Sequence, residues 1–224
     1  MTDRPALLLD LDGTLTDSVY QHAIAWRTAL ELAGITLSVW RIHRRIGMSG
    51  GLLAESLARE TGRELSEKDA AKVKAAHARL FKAQMRDVRL LPGAQDLMRH
   101  LTRMKVPWAI ATSGALASAA PLLKLVNAPR GTPIISRDDV EHAKPNPDLW
   151  LAAAARLGVS SESAIAVGDS VWDLLAARRA RSLGVGLLSG GYGQEELERA
   201  GAYRVYEDPA DLLLHIDELG IRAE

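Results

Sequence analysis

Four short stretches carry side chains that could do chemistry together. Asp10-Leu11-Asp12-Gly13-Thr14 sets two carboxylates on either side of one residue, just before a glycine. Thr112-Ser113-Gly114 offers a hydroxyl and main-chain N–H donors, Lys144 lies within Ala143-Lys144-Pro145-Asn146-Pro147, and Gly168-Asp169-Ser170 is followed by Asp173. Such a set suits phosphoryl transfer, which asks for a nucleophile, neutralisation of charge and a protonated leaving group. A carboxylate that attacks phosphorus forms an acyl phosphate and divides one hard step into two; Asp10 is the candidate. Asp12, brought round by a turn that Gly13 permits, suits a general acid that protonates the leaving alkoxide and then takes a proton from water. Several acids at one site repel one another and the substrate. A divalent cation removes that conflict, and Mg²⁺ takes one or two carboxylates plus waters and substrate oxygens. Asp10 and Asp169 are the natural pair, with Asp173 either ligating directly or holding a metal-bound water. Thr112 and the N–H groups around Ser113 and Gly114 are candidates for binding phosphate oxygens at a helix N-terminus. Lys144 would set a fixed positive charge over the same oxygens.

For these residues to meet, the chain must deliver them to one rim. Pro5 to Leu9 is a short apolar run that stops abruptly at carboxylates and Gly13, which predicts a buried strand and a turn. Apolar residues at helical spacing over 18–31, and the patterns over 41–46, 52–60 and 68–85, predict an almost entirely helical block from about 16 to 88. Beyond the turn at Leu91-Pro92-Gly93 the pattern alternates. Strands are expected over 106–111, 133–135, 164–167, 184–188 and 202–206. Helices are expected over 94–104, 118–125, 148–157, 172–181, 195–199 and 210–219. This alternation argues for a mostly parallel sheet covered on both faces. The expectation is an α/β core, Rossmann-like, from 1–15 and 89–224, with a helical cap domain inserted over 16–88. In an open parallel sheet ligands sit at the carboxyl ends of the strands, which is where three of the four stretches fall; Lys144 comes between two such ends.

Composition narrows the class. Lys plus Arg and Asp plus Glu number 28 each, so the net charge is zero and bulk electrostatics favour neither nucleic acid nor an anionic membrane. The absence of cysteine excludes disulfides, thiolate metal sites and a cysteine nucleophile. No stretch approaches the roughly 20 apolar residues of a membrane span, and the N-terminal apolar run is too short for a signal peptide. A cytoplasmic protein, monomeric or a small homo-oligomer, acting on a small phosphorylated metabolite is expected.

The four stretches resemble the motifs of the haloacid dehalogenase-like hydrolases. Asp10-Leu11-Asp12-Gly13-Thr14-Leu15-Thr16-Asp17-Ser18 resembles the first motif and Thr112 the second. Lys144 with Lys-Pro-Asn-Pro-Asp resembles the third, and Gly168-Asp169-Ser170-x-x-Asp173 the fourth, all in the family's order. The helical insertion is similar to the cap of the group that includes phosphoglycolate phosphatase and β-phosphoglucomutase. The resemblance implies Asp10 as nucleophile, Asp12 as acid/base, and Mg²⁺ held by Asp10, the Asp12 main-chain carbonyl and Asp169. Thr112 and Lys144 would contact the phosphoryl group. One departure is that Ala180-Arg181 stands where relatives often carry Ala-Gly at the helix end.

Each piece alone has a plainer reading. Asp-x-Asp-Gly-Thr can be a calcium-type loop or a simple turn, Thr112 a strand-end hydroxyl, and Lys144 a solvated lysine. Gly184, Gly186, Gly190, Gly191 and Gly193 lack dinucleotide or P-loop spacing and read as strand and turn glycines. Arg41, Arg44 and Arg45 read as a solvated helix face, though Arg45 to Gly51 resembles a cap loop and makes Arg45 and Ser49 candidates for substrate contact. His22 and His43 read as surface residues, with contact to a substrate from the cap as the alternative, and the five tryptophans read as packing. Competing functions are a phosphomutase of the same family, a dehalogenase, and a phosphoaspartate signalling module. The dehalogenase needs neither metal nor Asp12, and signalling modules of that kind are about half this size and lack the insertion.

Overall fold

A computed structural model describes residues 5–221. The described chain divides into two compact units, Ser18–Val88 and the remainder.

The larger unit is built on six parallel strands. β1 (Ala6–Leu9) lies at the centre, and the chain returns to it after the helical unit. β2 (Thr16–Asp17) and β3 (Arg89–Leu90) flank that unit in sequence and pair antiparallel, Thr16 with Leu90 and Asp17 with Arg89. Both therefore belong to the larger unit, although the sequence pattern places residues 16 and 17 in the insertion. β4 (Trp108–Ala111), β5 (Ile134–Ile135), β6 (Ala164–Gly168), β7 (Leu183–Leu187) and β8 (Ala202–Tyr206) follow, in the spatial order β5-β4-β1-β6-β7-β8. All adjacent pairs are parallel. The strand order thus reverses direction beside β1, the switch point at which such sheets open a crevice for ligands.

β1, β4 and β6 are buried at every position, which explains their unbroken apolar sequences: strands covered on both faces do not alternate. One face is paved with alanines, among them Ala109, Ala111, Ala164 and Ala166, leaving room for Trp150 from the covering helices. Register decides the site. Leu9 pairs with Ile110 on one side and Val167 on the other, so β1, β4 and β6 run out at one level.

Four helices make the other unit: α1 (Val19–Leu32), α2 (Val39–His43), α3 (Gly50–Glu60) and α4 (Glu67–Gln84). They bury a core that includes Trp26, Leu30, Ile42, Leu53, Leu57 and Val73. Ser66 caps α4 by accepting from the Asp69 N–H at 3.2 Å. In the larger unit α5 (Ala94–Arg103), α6 (Leu116–Val126), α7 (Asp148–Leu157), α8 (Val171–Ala180), α9 (Gln194–Ala200) and α10 (Pro209–Leu214) complete the chain.

Some expectations need correction. The predicted helix over 210–219 is broken: α10 ends at Leu214, and a 3₁₀ turn over Ile216–Leu219 follows. His43 is buried and stacks on Tyr20 at 5.2 Å, and His22 is half-buried, its Nδ1 2.9 Å from His77 Nε2, so neither is a surface histidine. Trp40 is 62% exposed with the Arg41 guanidinium over its ring, so it does not serve packing.

Candidate active site

β1 ends in a tight loop. Gly13 turns at φ +79°, a left-handed conformation that a side chain would strain, and its N–H donates to the Thr16 carbonyl at 2.8 Å. The Leu15 N–H, the Thr16 N–H and the Thr16 hydroxyl all donate to the Leu11 carbonyl, each at 3.0 Å. This folding-back fixes Asp10 at the strand tip, buried, and leaves Asp12 half-buried on the turn. The Asp10 N–H donates to the Val167 carbonyl at 2.9 Å, locking the tip of β1 to β6.

Three other loops meet that tip. After β4 comes Thr112, buried, whose Oγ1 accepts the Gly114 N–H at 3.0 Å while its own N–H donates to Ile135. Ser113 and Gly114 are half-buried beside it. The 143–147 segment brings in Lys144, a lysine 1% exposed whose Nζ bonds to Asp10 Oδ1. After β6, Asp169 is buried and its Oδ1 accepts from the Thr14 hydroxyl at 3.3 Å. Asp173 sits one turn into α8, where its Oδ2 accepts from the Ser170 N–H at 3.1 Å and from the Ser170 hydroxyl. Ser170 in turn accepts the Asp173 N–H on its own hydroxyl oxygen, a reciprocal cap that satisfies orphan donors at the helix start.

Asp10, Asp169 and Asp173 each place a carboxylate oxygen within 4.8 Å of the others, all buried. Lys144 Nζ stands 2.6 Å from Asp173 Oδ1, a second buried ion pair beside the one to Asp10. One cation facing three carboxylates leaves the cluster short of positive charge. Burial pushes the Asp10 carboxyl up to about 7, with Lys144 opposing and the Asp173 and Asp12 charges adding. Burial, then the charges of Asp173 and Asp10, holds Asp169 well above the ordinary carboxylate range. For Lys144 burial acts against the charged form, but Asp10 and Asp173 outweigh it and raise its pKa. Three buried hard-oxygen donors within reach of one another and a deficit of positive charge fit a divalent cation. Asp173 already spends Oδ2 on the helix cap, so Asp10 and Asp169 are the better placed ligands.

Two further residues shape this site, and their sequence context does not mark them as site residues. A Cβ at Gly190 would meet Asp169 Oδ2 at 1.9 Å, so the loop after β7 passes the carboxylate at a distance only glycine allows. Ser189 Oγ donates to the Gly13 carbonyl at 2.6 Å, tying that loop to the β1 turn. The run Gly190-Gly191-Tyr192-Gly193 marks a turn in sequence, but nothing in it marks which glycine abuts a carboxylate. Arg45 and Ser49 lie in the helical unit. Arg45 donates from Nε to Ser56 Oγ at 3.0 Å and pairs with Glu60, while Ser49, buried, precedes α3.

Buried carboxylates at the tips of a parallel sheet, with one buried lysine brought in by a neighbouring loop, make a site suited to phosphoryl transfer. The haloacid dehalogenase-like hydrolase family matches residues 5–181, and the chain belongs to that family. It is similar to validoxylamine A 7'-phosphate phosphatase of Streptomyces hygroscopicus subsp. limoneus, 31% identical over 80% of this chain and 84% of that one. It is also similar to β-phosphoglucomutase of Bacillus subtilis (strain 168), 28% identical over 94% of this chain and 92% of that one. Among solved structures, a hydrolase from Pseudomonas syringae is 49% identical, with a TM-score of 0.94, covering 96% of this chain and 99% of that one. Among the described residues, no helix is long and apolar enough to cross a membrane.

Proposed function

We propose that the chain is a Mg²⁺-dependent phosphatase that hydrolyses a small phosphorylated metabolite through an aspartyl phosphate on Asp10. The observation that carries this reading is the convergence of Asp10, Asp169, Asp173 and Lys144 in one buried cluster at the strand tips. A magnesium ion held by Asp10 and Asp169, with the Asp12 main-chain carbonyl, would neutralise charge on the phosphoryl oxygens. The other Asp10 oxygen attacks phosphorus while the bond to the ester oxygen breaks, and Asp12, protonated at the outset, gives its proton to the leaving alkoxide. Asp12 then takes a proton from water as that water attacks phosphorus. The bond from phosphorus to Asp10 breaks, inorganic phosphate leaves, and both aspartates return to their starting forms. Lys144 sets positive charge beside Asp10 throughout. Thr112, with the N–H of Ser113, holds phosphoryl oxygens, the Gly114 N–H being engaged by Thr112 Oγ1, and Asp173 keeps Lys144 and the start of α8 in place.

The helical unit is proposed as a cap that selects the substrate, with Arg45 and Ser49 the first residues to substitute. The cysteine-free composition supports a cytoplasmic setting. The end-to-end likeness to β-phosphoglucomutase favours one second reading, a phosphomutase in which the aspartyl phosphate passes to a sugar hydroxyl instead of water.

The test is phosphate release from p-nitrophenyl phosphate and a panel of phosphorylated metabolites, with Mg²⁺ or with EDTA, for wild type and Asp10→Asn. Release that needs the metal and is lost in Asp10→Asn supports the reading. Activity that appears only with a sugar bisphosphate moves it to the mutase, and no release from any compound by folded, metal-loaded protein refutes it.

A further inference from the structure

Lys144 is fully buried, and a lysine holds its charge on a flexible four-carbon stem. Its ammonium has three donors. Asp10 and Asp173 face two of them, and the Ala111 carbonyl lies at 3.4 Å, a long and weak partner for the third. What remains beside the ammonium is the ring of Trp150, with Nζ 4.5 Å from its centroid. Trp150 is 0% exposed, in α7, among the small side chains of Ala109, Ala111, Ala153 and Ala176, so the contact is desolvated. The same indole donates from Nε1 to the Asp173 main-chain carbonyl at 3.1 Å. One side chain therefore touches the lysine through its ring face and the lysine's second carboxylate residue through its N–H.

On the phosphatase reading given above, we propose that Trp150 is a positioning residue for Lys144. The face of its indole holds the ammonium by cation–π attraction, and its N–H fixes the first turn of α8, from which Asp173 reaches the same lysine. Residues that serve only as filling need volume alone. This position uses the ring's electron density and its one donor as well. A cation over a desolvated tryptophan is among the stronger cases of this attraction, and buried indole N–H groups normally find a partner.

The experiment replaces Trp150 with a series of progressively fluorinated tryptophans by nonsense suppression, beside Trp150→Phe and Trp150→Leu. Fluorine withdraws density from the ring face at nearly constant shape. The expected result is a stepwise fall in kcat for Mg²⁺-dependent phosphate release, about tenfold across the series, with KM moving less. Trp150→Phe keeps a ring and stays within about tenfold of wild type, whereas Trp150→Leu, with nothing to hold the ammonium, loses about a hundredfold. Because the contact exists in the resting protein, the urea midpoint of metal-free protein falls along the same fluorine series. A flat fluorine series in both readouts overturns the inference, as does equal kcat for Phe and Leu variants that are equally folded by circular dichroism. Wild type that releases no phosphate defeats the phosphatase reading and the catalytic consequence together, while the unfolding series still decides the contact. Wild type that is active but indifferent to fluorination defeats the inference alone.

Discussion

Replacing Lys144 with methionine isolates the charge, because the two side chains have similar length and apolar volume. In the metal-free protein this leaves Asp10, Asp169 and Asp173, all buried and within 4.8 Å of one another, with no cation. Removing one partner of a buried ion pair costs about 3–5 kcal/mol, mostly the penalty of the charge left behind. The cost depends on pH. Asp10 already stands at about 7 in the wild-type fold because of burial, against 3.8 for an ordinary aspartate. A carboxyl raised by folding takes up more protons in the native state. Its stabilisation is complete below about pH 4 and is lost as pH rises to about 7, at up to about 1.4 kcal/mol per unit for each group. Without Lys144 the raised values move further up and the loss extends above pH 7. We therefore expect Lys144→Met to cost about 3–5 kcal/mol at pH 8 in EDTA and distinctly less at pH 5, where a proton replaces the lysine charge. Urea unfolding followed by circular dichroism at both pH values measures this. A cost below about 1 kcal/mol at pH 8, or the same cost at both pH values, would show that Lys144 does not compensate these carboxylates.

Two other perturbations follow from backbone geometry. Gly190→Ala puts a methyl group where Asp169 Oδ2 now lies, 1.9 Å from the new carbon, and should lower kcat by about a hundredfold in a protein still folded by circular dichroism. Unchanged activity would mean that the Asp169 carboxylate need not stay where it is. Arg181 ends α8 in a left-handed conformation at φ 61°, and its ion pair to Glu162 is solvent-exposed. Arg181→Gly should relieve about 0.5–1 kcal/mol and raise the urea midpoint, the exposed pair contributing little; a lower midpoint would contradict this.

Much of the frame was legible because strands buried on both faces read as unbroken apolar runs. Ala6–Leu9 and Ala164–Gly168 are of this kind, and each ends where its carboxylates begin. Placing the candidate residues at strand ends required only parallel pairing, and the register at Leu9 brings those ends level. Less local features were hidden. Thr16–Asp17 pairs with Arg89–Leu90 across the whole helical unit, a two-residue ladder that no window of sequence reveals. Trp150 sits in an apolar helical pattern, where a tryptophan reads as filling, and its second neighbour, Asp173, belongs to another helix. The break at His215 has no local signal, because Ala210 to Leu219 carries apolar residues without an internal glycine or proline. The Ala180-Arg181 departure now has a meaning: arginine occupies a left-handed position that glycine usually fills.

On the proposed mechanism Asp10 becomes phosphorylated during turnover. Protein quenched during turnover of a substrate from the panel and treated with borohydride would have any acyl phosphate reduced to the alcohol, converting aspartate to homoserine with loss of phosphate. Mass spectrometry of the peptide that spans Asp10 reads the position. Homoserine at position 10, dependent on both substrate and Mg²⁺ and absent at Asp12, Asp169 and Asp173, is the predicted result. An active enzyme whose Asp10 peptide stays unmodified while another residue is converted would contradict the account.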